Sequence, residues 1–124
     1  MAKPRLYTNL CPLLCASLLA SAPLAHAGEI KTLMEDMKRA MQGALASTTM
    51  PELRGYVTRF ESDARQASRQ SYRDDQRTYD EGMQALREEL AQVEKAIQAN
   101  NMSDAKRALL QINGTKKRYH KLLS

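Results

Sequence analysis

From about Glu29 onward, apolar residues recur every three or four positions with polar residues between them, the pattern of helices that each bury one face. The first stretch predicts a helix from about Glu29 to Ala46, with Ile30, Met34, Met37, Met41 and Leu45 on one stripe. A break at Ser47-Thr48-Thr49 follows, and Thr49-Met50-Pro51-Glu52 reads as a capping box. There the Thr49 hydroxyl can accept from the Glu52 amide, the Glu52 side chain can reach back, and Pro51 falls where the first turn needs no donor. The second helix presents Leu53, Tyr56, Val57, Phe60, Ala64 and Ala67, then fades into the polar stretch Ser68-Arg69-Gln70-Ser71-Tyr72. Asp74 or Asp75 suits the start of a third helix. That helix has the cleanest heptad of the chain: Tyr79, Met83, Leu86, Leu90, Val93 and Ile97. Asn100-Asn101 closes it, and Asn101 with Asp104 can cap a fourth helix carrying Ala105, Leu109, Ile112, Lys116, His120 and Leu123 along one face.

No strand-like alternation interrupts these segments, and the connections are short, so consecutive helices should be antiparallel neighbours. The expected fold is all-α, an antiparallel up-down-up-down four-helix bundle. An even number of antiparallel helices brings both ends of the folded chain to one end of the bundle. Met34 lies four residues in from Ile30 and His120 four residues in from Ser124. At about 1.5 Å rise per residue, each then sits about 6 Å from that shared end.

The first 27 residues predict a signal peptide rather than structure. Lys3 and Arg5 precede a mostly apolar run from Cys11 to Leu24, and Ala25-His26-Ala27 supplies small residues at −3 and −1. The run is too short for a membrane helix, and nothing later is apolar enough to be one. Neither cysteine has the small residue before it that a lipoprotein signal wants, so the expectation is an exported, periplasmic protein with no membrane insertion after cleavage. Residues 28–124 then form one domain, expected to be monomeric.

Cleavage changes the charge and the candidate chemistry. The whole chain carries 19 basic and 14 acidic residues; losing Lys3 and Arg5 leaves 17 against 14, interleaved as on solvated helix faces, which argues against nucleic acid. Both cysteines, Cys11 and Cys15, depart with the signal, so no disulfide and no Cys-x-x-Cys-His attachment for haem remains. Of two histidines only His120 stays. Asn113-Gly114-Thr115 fits a glycosylation acceptor but lies within a helix. No nucleophile–base arrangement, phosphate loop or two-histidine metal site stands out, so an enzyme is not expected.

Spacing alone assigns His120 and Met34 modest roles. A histidine on a helix stripe is more often packed or half-exposed than a ligand, and a stripe methionine is ordinarily core filling. Their shared depth raises another reading, in which imidazole and thioether hold a haem iron from both sides. Met37, almost a turn deeper, is the rival to Met34.

The ends of the chain resemble those of the soluble periplasmic cytochrome b562 family. Met34-Glu35-Asp36-Met37 stands where that family has its methionine ligand, and Lys117-Arg118-Tyr119-His120-Lys121 is similar to its Arg-x-x-Tyr-His segment. The likeness runs without a gap from Ile30 through Phe60 and from Tyr79 to His120. It implies one noncovalent haem b per chain, with Met34 and His120 as axial ligands and one-electron transfer as the function. It also places Ile30, Met37, Phe60, Tyr79, Met83 and Ile112 against the porphyrin. Three positions depart from the family's pattern. Tyr79 and Met83 stand where the best-known member has two phenylalanines, and Lys116 replaces an arginine near the haem. The connection between the second and third helices is shorter and has no proline. Lys116, Lys117 and Lys121 could pair with haem propionates or with an acidic redox partner, whose identity the sequence leaves unknown. The alternative is a haem-free periplasmic bundle that binds a partner or buffers envelope stress.

Overall fold

A computed structural model describes residues 26–124. Four helices account for nearly all of them: α1 (His26–Ala46), α2 (Met50–Ser68), α3 (Gln76–Gln98) and α4 (Met102–Leu123). There is no strand among the described residues, and none of their helices is long and apolar enough to cross a membrane. The fold is the expected all-α four-helix bundle. The predicted signal peptide, residues 1–27, lies outside the described residues except for His26 and Ala27, whose backbone forms the first turn of α1. The helix therefore begins three residues before Glu29, because no residue there interrupts it.

Local chemistry sets the remaining boundaries. Thr49 caps α2, its hydroxyl accepting from the Glu52 amide at 3.4 Å, with Pro51 in the first turn. The Glu52 carboxylate reaches back one residue further than the cap itself and accepts from the Thr48 amide at 3.3 Å. Asp75 rather than Asp74 caps α3, accepting from both the amide and the hydroxyl of Thr78. At the end of α3, Asn100 takes a left-handed φ of 54°, which asparagine tolerates better than most residues. The next amide, of Asn101, then returns to the Ala96 carbonyl at 2.8 Å and that of Asn100 to Ile97 at 2.9 Å, closing the helix with a Schellman motif. Asn101 caps α4 reciprocally with Asp104.

The predicted stripes form one core. Leu53, Val57, Phe60, Ala64 and Ala67 of α2 pack with Tyr79, Met83, Leu90, Val93 and Ile97 of α3 and Ala105, Leu109 and Ile112 of α4. On α1 the fully buried line runs through Leu33, Met37, Ala40, Met41 and Ala44, while Ile30, Met34 and Leu45 are half-buried. The predicted stripe of α1 thus lies partly beside the core line. Its half-buried members Ile30 and Met34 border a cavity. The packing explains why: α1 lies along α2 and α3 along α4, whereas α1 and α4 approach each other only sparsely. Two hairpins meet, and the space between them reaches the end of the bundle where α1 begins and α4 finishes.

Candidate functional site

The space at that end is a cavity of about 340 Å³, within the range of small-molecule and cofactor sites. Every helix contributes to its wall. From α1 come Ile30, Met34, Met37, Lys38 and Met41, and from the middle of α2 comes Phe60. From α3 come Tyr79, Gly82, Met83 and Leu86, and from α4 Ile112, Thr115, Lys116, Tyr119, His120 and Leu123, with Ser124 just beyond it. All nine residues expected at a site from the sequence line this one cavity: Ile30, Met34, Met37, Phe60, Tyr79, Met83, Ile112, Lys116 and His120.

They divide by depth. Met37, Phe60, Tyr79, Met83 and Ile112 are buried and make the apolar floor. Ile30 and Met34 are half-buried, and Lys116 and His120 are exposed at the rim of α4. His120 continues the line of Leu109, Ile112 and Lys116, and the stripe that is buried at Leu109 and Ile112 borders the cavity at its exposed end. Met34, on α1, borders that cavity too. Met37 is only 4% exposed and belongs to the core as much as to the site.

The donor set is narrow. One imidazole, the thioethers of Met34, Met37, Met41 and Met83, and the amines of Lys38 and Lys116 are the soft or nitrogen donors of this wall. Among the described residues, no group of three or more His, Cys, Asp and Glu side chains gathers to hold a metal ion directly. The chemistry suits an iron that arrives with its equatorial ligands already in a flat apolar macrocycle and needs only axial donors. A slot between two hairpins, apolar within and cationic at the rim, fits such a group.

Several site residues carried no periodic signal. Tyr72, in the connection after α2, lines the same cavity and stacks on Tyr79 with ring centroids 5.3 Å apart and planes 2° from parallel. Its hydroxyl donates to the Leu123 carbonyl at 2.9 Å. The Tyr79 hydroxyl donates to the Ala67 carbonyl, and burial pushes its phenol up to about 12. Gly82 admits the Tyr119 ring: a Cβ there would stand 2.9 Å from it. A lone glycine inside a strong heptad is a sequence sign of such close approach. For Tyr72 the surrounding polar stretch offered no comparable sign.

Behind the site, Asp63 is the charged residue that stripe reading passed over, 8% exposed on α2 with Oδ2 unpartnered. Burial and the neighbouring Asp36 raise its carboxyl to about 6. Asp36 itself is held down to about 2, chiefly by Arg59, whose Nε donates to Oδ2 at 2.9 Å and whose second nitrogen meets Oδ1. On the α2–α3 side, Glu61 is raised to about 7 by burial and by Glu94.

The family model described as Cytochrome b562 matches residues 29–124, which span the cavity and all four helices save the first turn of α1. No match is found among curated proteins.

Proposed function

The chain belongs to the cytochrome b562 family, b-type haem proteins that carry electrons, and on that premise we propose that its cavity holds one noncovalent haem b between Met34 and His120. The observation that carries this reading is that these two residues, from opposite ends of the folded chain, open into the same apolar cavity. A haem held by these two residues would supply an iron that changes oxidation state by one electron. His120 gives a neutral imidazole nitrogen. Met34 gives a thioether, a weak donor to ferric iron that favours the ferrous state. Met37, Phe60, Tyr79, Met83, Ile112 and Ile30 exclude water and supply contact area. With His120 and Met34 both holding it, the haem iron would serve electron transfer rather than substrate binding, and the protein is a carrier rather than an enzyme.

Lys116, with Lys117 and Lys121 nearby, supplies cationic partners for the carboxylates of the cofactor or of an acidic redox protein. The protein acts as a monomer in the periplasm, reached through the signal peptide of residues 1–27.

Haem titration of the purified protein is the test. The wild type should give a sharp Soret band and a low-spin ferrous spectrum at one haem per chain. His120→Ala should abolish the low-spin species, and Met34→Ala should leave a five-coordinate or high-spin iron. A wild type with no Soret shift would return the chain to a haem-free bundle. An unchanged spectrum for Met34→Ala would move the thioether ligand to Met37.

A further inference from the structure

The connection between α2 and α3, residues 69–75, supplies one side chain to the cavity wall, Tyr72. We propose that Tyr72 is a positioning residue whose hydroxyl clamps the last turn of α4 and thereby holds His120 in the cavity. The proposal rests on the reading of His120 as a haem ligand.

The need for a clamp follows from where His120 lies. The last four carbonyls of a helix have no donor within the helix, and such ends open locally at little cost. Leu123, the final residue of α4, is three positions beyond His120 in the same terminal turn. His120 is itself exposed, so packing does little to fix it. The Tyr72 hydroxyl satisfies the Leu123 carbonyl at 2.9 Å across a sequence separation of 51 residues.

A clamp works only if its own anchor is rigid, and Tyr72 is held from two directions. Its ring stacks on Tyr79, which is 3% exposed and tied through its hydroxyl to the end of α2 at Ala67. Its backbone amide donates to the Gln76 side chain at 2.6 Å, at the start of α3. The contacts therefore run from α2 through Tyr79 and Tyr72 to the end of α4, along one side of the cavity. A tyrosine there merely to fill space would not need its hydroxyl, and a phenylalanine would serve equally.

That difference is the test. Tyr72→Phe keeps the stacked ring and removes only the donor. Lys106→Met serves as control: it removes the Nζ bond to the Ser47 carbonyl, 2.6 Å long, at the far end of the bundle where α4 begins. Amide exchange of the protein without added haem should be about fivefold faster at residues 120–124 in Tyr72→Phe, the effect of one lost hydrogen bond. It should match wild type there in Lys106→Met. After loading with haem, Tyr72→Phe should lose haem to a scavenging protein about fivefold faster and show a larger high-spin ferric fraction, with Lys106→Met again like wild type. Wild-type exchange at the last turn of Tyr72→Phe would overturn the clamp. Faster exchange with unchanged haem loss and spin state would overturn the positioning role. If the wild type takes no haem, the reading of His120 as ligand fails, and the exchange comparison alone decides the clamp.

Discussion

Gly82 illustrates how much one missing side chain can decide at this site. It lies on the cavity side of α3 between Tyr79 and Met83, and the Tyr119 ring of α4 rests against its backbone. A methyl group there would sit 2.9 Å from the ring, so either Tyr119 turns or the two helices part. Gly82→Ala should therefore cost about 1–3 kcal/mol, as overpacking does, despite alanine's better helix propensity. Gly55 on α2 has nothing within 4 Å of an added Cβ, and Gly55→Ala should instead stabilise by about 0.4–1 kcal/mol. Thermal unfolding of the two variants checks the contrast; equal effects of the same sign would remove the packing role given to Gly82. Legibility at this scale follows the range of the interaction. Met34 and His120 could be singled out because helix period and topology fix their depth. Tyr72 could not, because its partner is 51 residues away and its neighbours Ser71 and Arg73 lie on no stripe. Asp63 sits three residues after Phe60, at core spacing, but its role depends on facing Asp36 across a helix pair, and no pattern within α2 encodes that.

At the scale of elements, the boundaries were readable wherever a side chain acts on backbone within four residues. Thr49, Asp75 and Asn101 are all N-caps of this kind. The α3–α4 turn combines two devices, the left-handed Asn100 and the capping Asn101, and its two residues should respond to substitution in opposite directions. Asn101→Ala removes the acceptor for the Asp104 amide and should cost about 1 kcal/mol. Asn100→Gly relieves the left-handed backbone while keeping the Schellman bonds, and should gain a few tenths of a kcal/mol up to about 1. Denaturant midpoints measure both, and a stabilised Asn101→Ala would exclude the cap. The pattern misled slightly on α1, where hydrophobicity marks a stripe but cannot say which half faces a packed helix and which faces a cavity. Ile30 and Met34 are as apolar as Leu33 and Ala40, yet they stay half-buried because they border the cavity.

For the molecule as a whole, acidic side chains meet between helices in a way that ties bundle stability to pH. Asp36 of α1 faces Asp63 of α2, and Glu61 of α2 faces Glu94 of α3. Asp63 rises from 3.8 to about 6 and Glu61 from 4.5 to about 7, burial being the larger cause in each. A carboxyl raised in the folded state binds its proton more tightly there than in the unfolded chain. Its contribution is full below the unfolded value and is lost as pH rises through the folded one. Asp36 runs the other way: lowered by Arg59 to about 2, it stabilises above about 4 and loses that contribution as pH falls toward 2. Between about pH 4 and 7 the raised pair dominates, so ionising Asp63 should weaken the bundle across that window. Asp63→Asn keeps a donor facing Asp36 and removes the titration. Its melting temperature should match wild type near pH 4.5 and exceed it by about 4–8 °C near pH 7.5, equivalent to about 1 kcal/mol for a domain of this size. The comparison uses the difference between variants because net charge also changes with pH and shifts both proteins together. A difference that stays constant from pH 4.5 to 7.5 would mean that Asp63 does not exchange its proton within that window and would overturn this account of its titration.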